Sequence, residues 1–216
     1  MIVDMWMKRD VVVIDPNESI TAAASLMATR CVHRLPVIER RAAGPHLIGI
    51  VTSTDIHRAY PAHVNPFAPL AADTFHSDLK IAQVMKRHPF TTTPDAPIED
   101  AARTMSQHRI GGLPVIQNDV LVGIITESDI FRAFASMLES PPGSVRITFK
   151  VVQDEDIFGL MNRLASPRKV RVLSLISSRH HETPVCVVRL SGAELDKFLD
   201  DIWKSGHQVV NVLRIG

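Results

Sequence analysis

A hydroxyl and a carboxylate three positions apart occur twice in this chain, as Thr52 with Asp55 and as Thr126 with Asp129. Each pair stands where a short apolar run gives way to a helical pattern, in Gly49-Ile-Val-Thr-Ser-Thr-Asp-Ile56 and Gly123-Ile-Ile-Thr-Glu-Ser-Asp-Ile130. At such a junction both side chains can face one ligand. A carboxylate accepts hydrogen bonds from two neighbouring hydroxyls at once, so the chemistry suggested is capture of a sugar diol. The threonine can donate to the same sugar or to a phosphate. Aspartate is also a preferred N-cap, and capping alone would account for a single copy. Two copies, each with its full surroundings, favour a ligand, and the two roles are compatible.

The elements that position these pairs are themselves repeated. Met7-Lys-Arg9 recurs as Met85-Lys-Arg87, Ile20 as Ile98, Met27 as Met105, and Leu35-Pro-Val-Ile38 as Leu113-Pro-Val-Ile116, at constant spacing. Such self-similarity marks a tandem duplication. Each copy reads as strand, helix, strand, strand, helix: in the first, a β-branched run Val11 to Ile14, a helix Thr21 to Thr29, strands Leu35 to Ile38 and Leu47 to Val51, and a helix from about Asp55. The extra residues of the first copy fall in the polar stretch Glu39 to His46, which reads as a loop. Residues 61–77 hold Pro61, Pro66 and Pro69 and read as a linker, with His63 and His76 solvated. One copy buries little core by itself, so the two are expected to pack together.

After Glu139-Ser-Pro-Pro-Gly143 the pattern changes. Val145 to Val152 alternates as a strand, and Asp154 to Ala165 is amphipathic. Val170 to Ser177 and Val185 to Leu190 flank a turn at Arg179-His-His-Glu182. Ser191-Gly-Ala-Glu194 reads as a cap for a helix reaching Lys204, and Val209 to Ile215 as a last strand. The order βαββαβ is that of a ferredoxin-like α+β sandwich. The expected boundaries are thus 1–60, a linker 61–77, 78–138, and 145–216.

Composition narrows the function. A formal net charge of +1 gives no electrostatic case for nucleic acid. No run is long and apolar enough for a membrane span, and the first residues lack a signal-peptide pattern, so a cytoplasmic protein is expected. Cys31 and Cys186 each lie in an apolar stretch and read as buried reduced thiols. No Gly-rich phosphate loop, Gly-x-Ser-x-Gly or Cys-x-x-Cys is present, and His180-His181 with Glu182 reads as a hairpin tip rather than a metal site. No catalytic residue, metal site or obligatory cofactor is assigned.

The duplicated units resemble CBS domains, which work in pairs as Bateman modules. The resemblance rests on Met-Lys-Arg, on His33-Arg-Leu-Pro-Val-Ile38 and Gly111-Gly-Leu-Pro-Val-Ile116, and on the two Gly-initiated Thr-x-x-Asp-Ile stretches, over roughly residues 1 to 138. The C-terminal part resembles an ACT-type domain, though Asp154-Glu-Asp-Ile157 stands where amino-acid-binding ACT domains carry a glycine turn. The domain order is similar to that of the acetoin-utilisation AcuB-type proteins. The fold so implied is α+β, with two CBS domains packed as a pseudo-twofold pair followed by a ferredoxin-like domain.

This resemblance implies a non-catalytic regulatory protein that binds AMP, ADP, ATP, or a related ligand such as S-adenosylmethionine or NAD, between its CBS units. It further implies a homodimer, paired through the ACT-like domain, that signals to an unidentified regulated enzyme. A structural adaptor with vestigial clefts and an amino-acid sensor are the alternatives. Thr126 and Asp129 would hold the ribose in one cleft, with the base against Thr91, Thr92, Ile110, Gly112 and Pro114. By similarity to the AMP-activated kinase regulatory subunit, His33 and Arg34 would reach the phosphate there. The cleft of Thr52 and Asp55 would lack that cationic help, with Arg109 near it in sequence, and Asp129 would therefore matter more than Asp55.

Overall fold

The computed structural model describes residues 1–60, 79–151, 155–180 and 183–216. The linker 61–77 with His63 and His76, and the tip residues His181 and Glu182, lie outside the described residues. The chain divides into two compact units, Met1–Ala133 and Phe134–Gly216.

In the first unit, helix α1 (Ile20–Arg30) starts where the Ser19 hydroxyl accepts the Ala22 amide. It ends at Cys31, which adopts the left-handed conformation at φ 52°. Strands β1 (Arg34–Arg41) and β2 (Gly44–Thr52) form an antiparallel hairpin leading into α2 (Ser53–Ala59). The second copy repeats this after a short helix α3 (Ile81–Val84) and strand β3 (Lys86–Arg87), with α4 (Ile98–His108) ending on left-handed Arg109. Its hairpin is β4 (Gly112–Gln117) and β5 (Val120–Thr126), followed by α5 (Glu127–Met137). Asn118 and Asp119 both take positive φ, as a two-residue hairpin turn demands. The extra residues of the first copy do not make a loop. They continue the ladder through Glu39↔His46 to Arg41↔Gly44, so the first hairpin is a longer version of the second. Val11 to Ile14 gives only an isolated bridge, Ile14 to Val37, matched by Thr92 to Val115 in the other copy.

The two copies exchange their leading segments. Val3 and Met7, which open the first copy, are buried among Ile98, Met105, Leu113 and Ile125 of the second. Ile81 and Met85, which open the second, are buried with Ile20, Met27, Leu35 and Val51 of the first. Backbone hydrogen bonds fix both crossings: Lys8 and Ile124 exchange a pair at 2.9 Å, and β3 adds to β2 through Gly49↔Arg87 and Ile50↔Lys86. The crossings explain two glycines. A Cβ on Gly49 would lie 2.6 Å from Met85 Sδ, and one on Gly123 the same distance from Met7 Sδ. Only glycine lets the exchanged segment pass that close.

The second unit has strands β6 (Val145–Lys150), β7 (Val170–His180), β8 (Thr183–Gly192) and β9 (Val209–Arg214), with helices α6 (Ile157–Ala165) and α7 (Leu195–Lys204). The sheet order is β7-β8-β6-β9 with antiparallel neighbours. Val145, Ile147 and Phe149 alternate inward from β6. They meet Leu195, Phe198, Leu199 and Ile202, which recur at helical spacing along one face of α7. Ser191 belongs to β8 and caps nothing; α7 begins at Glu194 without a side-chain cap. Arg168 Nε donates to Asp201 Oδ2 at 2.9 Å, tying the turn after α6 to α7 and holding the Asp201 carboxyl below its ordinary range.

Candidate functional site

In each Thr-x-x-Asp turn the aspartate reaches back to the threonine, and in the first copy the Asp55 amide also donates to the Thr52 hydroxyl at 3.3 Å, completing a reciprocal cap. In the second copy, Asp129 Oδ2 accepts the Thr126 amide at 2.9 Å and the Thr126 hydroxyl at 2.5 Å. Its Oδ1 accepts Arg132 Nη2 at 3.0 Å, and the carboxylate is fully buried. In the first copy, Asp55 Oδ2 takes the Thr52 amide and hydroxyl at 2.9 and 2.6 Å. The difference lies at the other oxygen. Asp55 is half-buried, and among the described residues its Oδ1 accepts no hydrogen bond; Arg58, one turn on, is exposed and unpaired with it. The carboxylate thus caps in both copies, and of the two aspartates it is Asp55 whose Oδ1 is left without a partner among the described residues. Both threonine hydroxyls donate to their own aspartates, so toward a ligand they can only accept.

Two clefts follow from the pairing of the copies. The larger, about 720 Å³, sets Thr52, Asp55 and Arg58 of the first copy against Lys86 to Phe90 and His108 to Gly112 of the second. The smaller, about 430 Å³, sets Thr126, Glu127 and Ser128 of the second against Lys8, Asp10, Val11, Val12 and Cys31 to Arg34 of the first. Each cleft therefore joins the threonine turn of one copy to the leading segment and helix end of the other. This corrects the sequence-based partnership. Ile110 and Gly112 face Thr52 and Asp55, not Thr126 and Asp129. His33 and Arg34 line both clefts, so the Thr52 cleft does not lack them. Thr91 is exposed, the Thr92 amide donates to Pro114 O at 3.1 Å, and Pro114 is buried within β4; none of the three lines either cleft.

The clefts differ in charge. Arg34, Arg58, Lys86, Arg87 and Arg109 line the larger one, with Asp55 as its carboxylate. Its apolar wall comprises Ile50, Ile110, Pro89 and Phe90, and Phe90 stacks on His108 with ring centroids 3.8 Å apart. In the smaller cleft Lys8 and Arg34 are balanced by Asp10 and Glu127, and Cys31 stands where the larger cleft has Arg109. Cys31 is exposed, against expectation, because its left-handed position at the helix end turns it outward; Cys186 is buried, and burial pushes its thiol up to about 11. Among the described residues no cluster suits a metal ion, and no helix is long and apolar enough to cross a membrane.

A cleft of about 720 Å³ with a carboxylate, an apolar wall and several cations has the size and lining of a small-molecule site. Comparison with known proteins gives the family: the CBS domain model matches residues 2–62 and 81–136, and the chain belongs to the CBS-domain family. CBSX2, solved in complex with AMP, is 26% identical with a TM-score of 0.52, covering 64% of this chain and 98% of that one; the protein is from Arabidopsis thaliana. The CBS pair of protein MJ0100, solved with 5-methylthioadenosine and S-adenosyl-L-methionine, is 29% identical with a TM-score of 0.51, covering 63% and 97%. An AcuB protein described as a putative acetoin utilization protein from Vibrio cholerae is 27% identical with a TM-score of 0.50, covering 65% and 98%. Coverage of curated relatives runs from 97% of a CBS domain-containing protein of Dictyostelium discoideum, 28% identical over 66% of this chain, to 22% of the inosine-5'-monophosphate dehydrogenase of Korarchaeum cryptofilum, 29% identical over 57%. The family match ends at residue 136, within α5.

Proposed function

We propose that this protein is a non-catalytic regulator that binds an adenine nucleotide in the cleft of Thr52 and Asp55. The observation carrying this reading is that Asp55, whose Oδ1 accepts no hydrogen bond among the described residues, lines one cleft with several cations and an apolar wall. The ribose diol would bind Asp55, the base would lie toward Ile110 and Phe90, and the phosphates would meet Arg58, Lys86, Arg87 and Arg109. Relatives solved with AMP and with S-adenosyl-L-methionine support an adenosyl ligand. The βαββαβ order of the second unit suits an ACT-type module, and its exposed Val172, Ile176, Val210 and Leu213 support a role in pairing two copies. Occupancy would be transmitted only so far as the ligand prefers one arrangement of the copies.

Calorimetry with AMP and ATP tests the reading. A hydrogen bond to a charged group contributes about 1.5–3 kcal/mol, so Asp55→Ala should weaken binding about 10- to 100-fold. Asp129→Ala should change it by less than about threefold, since that carboxylate faces neither cleft. Larger loss from Asp129→Ala would return the site to the other cleft. Silence of the parent protein toward AMP, ADP, ATP, NAD and S-adenosylmethionine in thermal-shift screening would leave an adaptor.

A further inference from the structure

His33-Arg34 in the first copy corresponds to Gly111-Gly112 in the second, and the two pairs meet between the clefts. Arg34 fills the space that the glycines leave. Its Nη2 lies 2.5 Å from where a Cβ on Gly111 would stand, and its Nη1 lies against the matching position on Gly112. Arg34 has no ion pair among the described residues, and its Nη1 is buried without a hydrogen-bond partner. Burial lowers the proton affinity of the guanidinium, and the nearby Glu127 charge partly restores it. A half-buried cation with one nitrogen left without a partner carries a desolvation cost, and an arriving anion offsets part of it. Arg34 lines the larger cleft and the smaller one alike.

We infer that Arg34 is a single anion receptor shared by both clefts, so that phosphorylated ligands in the two clefts compete for it. The inference rests on the nucleotide reading and adds its regulation. Glu127 and Asp10 disfavour a phosphate in the smaller cleft, so the first anionic ligand enters the larger cleft and takes Arg34. The smaller cleft then keeps an acidic lining and accepts a nucleoside without phosphate far better than one with it. Coupling of this kind is reciprocal: whichever cleft fills first with an anion weakens the other for an anion.

Stepwise binding of AMP and of adenosine to the full chain, measured by calorimetry, tests the sharing. The ratio of first to second association constant for AMP, divided by the same ratio for adenosine, removes what base and ribose contribute and leaves the phosphate's preference for one cleft together with its coupling between clefts. In the parent this quotient should be at least about tenfold. In Arg34→Ala it should fall at least about threefold, toward the preference that the remaining charges of the two clefts impose, with first-step AMP affinity also lowered. Arg34→Gln, which keeps the length of the side chain, should do the same if the alanine variant folds poorly. A quotient near unity in the parent, or one unchanged on losing Arg34, would overturn the sharing while leaving nucleotide binding intact. Failure of both AMP and adenosine to bind would overturn the nucleotide reading and this inference together.

Discussion

Replacing Gly123 with alanine tests the exchange of leading segments directly. The new Cβ would stand 2.6 Å from Met7 Sδ and 3.1 Å from the Lys8 carbonyl oxygen, against an optimal separation of about 3.5–4.0 Å. The Lys8 backbone is pinned by its hydrogen bonds to Ile124, so Met7 must yield. Met7 is buried in the second core, and leaving it forfeits part of the ~1.5–3 kcal/mol such burial contributes. Alanine recovers ~0.4–1 kcal/mol by restricting the unfolded chain. The expected net loss is about 1–2 kcal/mol. Met7→Ala alone should cost about 2–5 kcal/mol. In that background Gly123→Ala meets no sulfur and should be near neutral, giving a coupling of about 1–2 kcal/mol. The assay is urea unfolding of the four chains, followed by emission of Trp6, which packs against the same core, in a Trp203→Phe background. Additivity of Gly123 with Met7, or coupling of Gly123 with Met85 instead, would refute the exchange.

Other outcomes follow from the same geometry. Asp129→Ala should lower stability by roughly 1 kcal/mol more than Asp55→Ala, because it also strands Arg132 and empties a buried site; equal losses in urea would contradict this. In the native protein Ellman's reagent should titrate Cys31 promptly and Cys186 only on unfolding, and equal rates would contradict the burial. Because the Cys186 thiol titrates near 11 when folded and near 8.5 when unfolded, the unfolded chain loses its proton first. Stability contributed by that protonated thiol should therefore decline as pH rises from about 8.5 toward 11, and Cys186→Ala should remove that part of the decline.

The duplication and the strand pairs were legible because they are local. Leu35-Pro-Val-Ile38 and its twin carry their own strand pattern. What stayed hidden depends on which copy a segment joins. Met7 and Met85 are both followed by Lys-Arg, and periodicity cannot say that each belongs to the other copy's core. The crossed lining of the clefts follows from the same ambiguity, which is why sequence alone places Ile110 and Gly112 with Thr126 whereas the larger cleft brings them to Thr52. Cys31 was misplaced because its apolar neighbours suggested burial, whereas a left-handed residue at a helix end points away from the core. The asymmetry of Asp55 and Asp129 could not be seen either: Arg58 and Arg132 hold equivalent positions, and only Arg132 closes onto its aspartate.

The exchange of Val3 and Met7 for Ile81 and Met85 bears on the history of the duplication. A gene encoding one copy alone would make a chain whose core lacks the segment it gives away. Two such chains could each complete the other, and neither could fold well by itself. Joining them in one polypeptide turned that bimolecular partnership into an intramolecular one, with the high effective concentration a short tether provides. Once joined, the copies were free to diverge at His33-Arg34 and Gly111-Gly112, because a single chain no longer has to be symmetric with itself.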